Sequence, residues 1–220
     1  MLLLKPSFLK LLSGRSCGRS FVLIVAGLIG CTLGLSPHGL TDSRSTFPGR
    51  RVGGGTRGEC TARILAHLVP ANSVFGLSSA GDIAMVHGPT ANPVSLTISL
   101  KPEAGGDGFS RSLPAAPAGI TLIRVEPIRV PMVWESGFDC SSGSDAAADP
   151  LSFVTTAAPP AVSLLLPNQE PADVDVQQAL QALRQSCGST VPTAATLSGF
   201  GLADLVTSQW PSQLPVRCPS

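Results

Sequence analysis

The sequence predicts a mainly β fold, a β-sandwich-like body that carries one or two helices at its C-terminal end. Three observations lead there. Twenty prolines and 23 glycines among 220 residues cut the chain into short elements joined by turns, which suits strands better than long helices. Short alternating or apolar runs follow one another from Asp82 to Leu166. The one clean helical pattern comes late, from about residue 171.

Taken in order, Met1 to Ser20 holds Lys5, Lys10, Arg15 and Arg19 without a carboxylate, and Phe21 to Leu35 is an apolar run of 15 residues. A basic segment followed by a short apolar one is the pattern of a signal peptide, and the run is shorter than the about 20 residues that span a membrane as a helix. Residues 1–35 are therefore read as a signal segment. Two exits from it remain open. Leu28-Ile29-Gly30-Cys31 has the form of a lipobox, in which Cys31 becomes the lipid-modified first residue of a lipoprotein. Thr32-Leu33-Gly34 offers small residues for ordinary cleavage, and an uncleaved anchor stands third. The expected location is periplasmic, extracellular or membrane-anchored by lipid. Residues 36–52 form a polar linker, and residues 53–220 a single β-rich domain.

Glu59–Val69 has apolar residues at helical spacing but is short and ends at Pro70, so helix and strand both remain open. Val94–Leu100 (VSLTISL) alternates at every step and is the clearest strand, with Val94, Leu96, Ile98 and Leu100 on one face. Further strands are expected at Asp82–Val86, Phe109–Leu113, Ile120–Val125, Ile128–Trp134, Ser152–Thr156 and Val162–Leu166, with Pro127 and Pro131 marking an edge or a bend. The spacing predicts a helix over Pro171–Gly188, N-capped by Asp173, with Val176, Leu180, Leu183 and Cys187 on one face and Gly188 just past its end. A second, weaker helix is expected over Gly199–Ser208.

Once the signal segment is set aside, Cys60, Cys140, Cys187 and Cys218 remain. In an exported chain an even count reads as two disulfides, with three connectivities open. Cys60–Cys140 with Cys187–Cys218 is the pairing that ties body and tail separately. The spacing has no Cys-x-x-Cys and no nearby histidine, so no metal is expected.

Charge excludes one class of partner. From residue 31 onward 11 basic residues face 14 acidic ones, and Lys101 is the only lysine. Nucleic acid wants a basic face and is not expected. Gly53-Gly54-Gly55-Thr56-Arg57-Gly58 matches the dinucleotide pattern, but a polar linker precedes it where a buried strand is required, so no cofactor is expected. A weaker reading keeps Arg50, Arg51, Gly53, Gly54, Gly55 and Arg57 as an anion nest of glycine amides and guanidinium groups. Catalytic motifs are missing. Only His67 and His87 could serve a Ser/His/Asp site, since His38 lies in the linker.

Arg50-Arg51-Val52-Gly53-Gly54-Gly55-Thr56-Arg57-Gly58-x-Cys60, followed by Leu65-Ala66-His67-Leu68-Val69-Pro70, resembles the start of the mature region in a family of exported cyanobacterial proteins of unknown function. The resemblance implies export and a β-rich body, and it supplies no activity. The expected function is that of a non-catalytic envelope or extracellular module, binding or structural, with an envelope protein or glycan as candidate partner. An envelope hydrolase built on His67 or His87 is the alternative, and nucleotide or anion binding at the glycine-arginine stretch is the third.

Overall fold

The structure, a computed structural model, describes residues 43–54, 64–139 and 159–219. In chain order it comprises α1 (Ser43–Thr46), β1 (Val52–Gly53), β2 (Leu65–His67), β3 (Val74–Gly76), β4 (Gly81–His87), β5 (Leu96–Pro102) and β6 (Phe109–Leu113). There follow β7 (Gly119–Val125), β8 (Met132–Phe138), β9 (Ala161–Leu166), α2 (Pro171–Gln185), β10 (Thr190–Pro192), α3 (Thr193–Gly199), a 3-10 turn at Ala203–Leu205 and β11 (Gln213–Arg217). The fold is mainly β, as expected, with its two longer helices, α2 and α3, near the C-terminus.

The strands form two sheets, a six-stranded one in the order β1-β2-β4-β7-β11-β10 and a five-stranded one in the order β3-β9-β8-β5-β6. Alternation decides what faces what. In β5, Leu96, Ile98 and Leu100 are buried, while Thr97, Ser99 and Lys101 point away from the core. Trp134 and Ser136 of β8 and Ala161 and Ser163 of β9 lie on the same inner face by register. The larger sheet is covered on both sides, by the smaller sheet and by α2, so all seven residues of β4 are buried.

The two sheets meet along one seam. Arg50 exchanges both backbone hydrogen bonds with Val162 of β9, at 2.9 and 2.7 Å, and Gly54 N–H donates to Pro159 O. The intervening Val52–Gly53 pairs with β2 in the other sheet. This approach needs glycine: a Cβ on Gly53 would sit 2.3 Å from the backbone nitrogen of Ala161.

Several expected boundaries move. Glu59–Val69 resolves in favour of strand within its described part, as β2. The strand expected at Ile128–Trp134 is instead Met132–Phe138, because neither Pro127 nor Pro131 can donate to a ladder and pairing begins after the second. The N-cap of α2 is Glu170 rather than Asp173, with Pro171 opening the helix. Asp173 is fully buried; its Oδ2 accepts from Glu170 N–H at 2.8 Å and from Arg44 Nη2 at 2.7 Å. The helix expected at Gly199–Ser208 lies earlier, at Thr193–Gly199, and only a 3-10 turn follows it. The expected strand at Ser152–Thr156 lies outside the described residues. No helix among the described residues is long and apolar enough to cross a membrane.

Candidate functional site

Inner-facing positions at one end of the sandwich line a half-open cavity of about 270 Å³. Register places its polar residues. His87 ends β4 and pairs with Gly119 at the start of β7, while Thr121 of β7 pairs with Arg217 at the end of β11. The opposite wall comes from the smaller sheet, with Leu96, Leu113 and Phe138. Among the described residues every other lining group is apolar except for Cys218, which belongs to a disulfide.

The arginine is fixed rather than loose. Its Nη1 lies 3.3 Å from His87 Nε2, and its Nη2 donates to Pro117 O at 3.1 Å and Ala118 O at 3.4 Å. The guanidinium lies over Gly119, where a Cβ would come within 2.2 Å of Nη1. An arginine can only donate, so His87 Nε2 is the acceptor and its proton sits on Nδ1. Burial, reinforced by the neighbouring Arg217 charge, pushes the His87 pKa down to about 4. Burial also lowers the pKa of Arg217, and no carboxylate among the described residues forms an ion pair with it.

His67 sits elsewhere, sealed between the sheets. Its ring stacks on Trp134 with centroids 3.5 Å apart and planes 8° from parallel. Its Nδ1 is 2.8 Å from Ser163 Oγ, and both residues are fully buried. Among the described residues His67 Nε2, Trp134 Nε1 and Ser136 Oγ have no partner. Burial pushes the His67 pKa well below its ordinary value. A serine beside a histidine is the start of a nucleophilic site, but both residues are fully buried, and among the described residues no carboxylate hydrogen-bonds to the histidine.

The residues singled out from sequence are distributed as follows. Cys187 and Cys218 form a disulfide with Cα atoms 5.7 Å apart, at the rim of the cavity. The pairing is set up by Gly188 N–H donating to Val216 O and Val216 N–H donating to Ser189 O. Cys31, Gly55, Arg57, Cys60 and Cys140 lie outside the described residues. Arg51 donates to Val69 O, Phe200 O and Gly201 O, each at 2.8 Å, and so ties the seam to the end of α3. Arg50 and Gly54 engage the backbone of the smaller sheet, as described. Sequence reading did not find Arg217, Gly119, Thr121 or Ser163. The only available signal for Arg217 was its place beside the bridged Cys218, because alternation in β11 marks Leu214 and Val216 as the buried positions and puts Arg217 on the other face.

Two further hollows are polar. One, of about 400 Å³, lies by Gln177, Gln178 and Gln181 of α2, and the other, of about 480 Å³, lies on the hydroxyl-rich outer face of β5, β6 and β8. Among the described residues no group of three or more His, Cys, Asp or Glu could hold a metal ion. No family model, no curated protein and no solved structure matches this chain.

Proposed function

We propose that the chain is an exported, disulfide-tied module that binds a small ligand without catalysis, and that the ligand occupies the cavity at the end of the sandwich. The observation that carries this reading is the cavity itself, apolar on most of its wall with one fixed cation. Apolar concavities with a few placed polar groups are the usual form of ligand sites. The basic and apolar pattern of residues 1–35, and the resemblance of the Arg50–Pro70 stretch to exported proteins, support export. The Cys187–Cys218 disulfide fits an oxidising compartment.

The hydrolase alternative has the His67–Ser163 pair in its favour, and burial against it. His87 is no better a base, because its acceptor nitrogen faces a guanidinium. Ligand-observed NMR on the chain produced with export tests the reading. Small apolar probes should bind saturably, lose binding when Ala116→Trp fills the cavity, and keep it in Ser163→Ala. Ester hydrolysis by the wild type that disappears in Ser163→Ala would overturn it.

A further inference from the structure

We propose that the ligand of this cavity is a small apolar monocarboxylic acid, its carboxylate held by Arg217 and its hydrocarbon body packed between Leu96, Leu113 and Phe138. The inference rests on the binding-module reading above and adds the charge and class of the ligand.

The guanidinium is the starting point. It lies half-buried in an apolar wall, and its fixed contacts are a neutral imidazole and two backbone carbonyls. Taking a cation out of water without an anion is costly, and proteins ordinarily pair such a charge. Of the five N–H donors of an arginine, three are used in these contacts, which leaves two for a ligand. The group is also pre-positioned. Gly119 leaves open the space it occupies, and His87 Nε2 holds it from the side. Little ordering would remain to be done on binding.

Several anions could answer a cation, and the surroundings choose among them. A phosphate or sulfate dianion asks for more donors and more positive charge than one arginine with two free N–H groups supplies. The remaining described wall offers a methyl-rich surface and a single threonine hydroxyl, which suits a hydrocarbon body. A volume of about 270 Å³ lies just under the range of roughly 300–1,000 Å³ typical of ligand pockets, so the acid is small and a whole lipid is too large.

The experiment compares octanoate, octan-1-ol and octylammonium by calorimetric titration into the chain produced with export, its disulfide intact. Octanoate should bind most tightly and octylammonium least. Arg217→Met should weaken octanoate at least about tenfold, the effect of one lost charge-assisted hydrogen bond, and leave octanol nearly unchanged. Acetate, which carries the charge without the body, should bind far more weakly than octanoate. If octanol binds the wild type as tightly as octanoate, the carboxylate assignment falls and the binding-module reading stands. If none of the three binds, both fall. The wild-type ranking decides the matter even where Arg217→Met does not fold.

Discussion

His67 and His87 give the protein a one-sided response to acid. Burial holds both neutral in the folded state, with the His87 pKa at about 4. In the unfolded chain a histidine titrates near 6.5. Below that pH the unfolded state takes up protons that the folded state refuses, so stability is full above about 6.5 and declines on acidification. For His87 alone the loss between pH 6.5 and 4 is about 3 kcal/mol, from about 1.4 kcal/mol per unit. His67 adds to it over the same window. Chemical denaturation at pH 7, 6, 5 and 4 should show a midpoint that falls steadily, and less steeply in His87→Gln. A midpoint flat across that range would mean that the imidazoles are not held neutral. Neither the role of His87 nor that of His67 was legible beforehand. A histidine in an apolar run looks the same in sequence whether it stacks on a tryptophan or lines a cavity, because its partners Trp134, Ser163 and Arg217 lie at least 67 residues away.

Among the elements, α2 and the tail strand β11 depend on the bridge between them. The loop closed by Cys187–Cys218 spans 31 residues and contains β10, α3 and β11. Closing a loop of that length restricts the unfolded chain by about 3.7 kcal/mol on the chain-entropy estimate. Cys187→Ser with Cys218→Ser should therefore lower the unfolding free energy by about 3–4 kcal/mol, read from urea titration. A change under about 1 kcal/mol would mean that β10 and β11 are held by their pairing alone. The alternating strands were legible because each has one inward face, as in Leu96, Ile98 and Leu100. The helix α2 was legible from its apolar stripe and its flanking Pro171 and Gly188, although Asp173 was misplaced as its cap. The strand β4 was expected at Asp82–Val86, but its seven buried residues carry no alternation that tells one face from the other. The two- and three-residue strands β1, β3 and β10 are too short to show a period, and only their partners define them.

At the scale of the whole molecule, two sheets and a covering helix follow from composition and pattern, whereas the order of strands within each sheet does not. The parallel pairing of β11 with β7 joins residues about a hundred positions apart, Val216 to Ile120, and no local signal encodes it. The cavity inherits this. It is assembled from the ends of β4, β5, β6, β7, β8 and β11, so its arginine acquires a meaning only after the sheets are folded together. The glycine-rich opening, by contrast, was visible at once. Its described part, Gly53 and Gly54, contacts the backbone of the smaller sheet.

That seam makes the sandwich behave like a hinged shell rather than two free leaves. Along Arg50–Gly54 the leaves are laced by backbone hydrogen bonds and a contact that only glycine permits, while β6 and β10 form the far margins of the two sheets. This lacing predicts that breathing is confined to the margin away from the hinge, where β6 contributes Leu113 to the cavity wall. Amide exchange should be fastest in β6 and β10 and slowest at Arg50, Gly54 and Val162. Gly53→Ala, by prising the hinge, should cost about 1–3 kcal/mol and raise exchange on the seam itself. Slow exchange in β6 with fast exchange at Val162 would place the hinge on the opposite side. A shell that opened at one margin would admit the proposed ligand without unpairing a central strand.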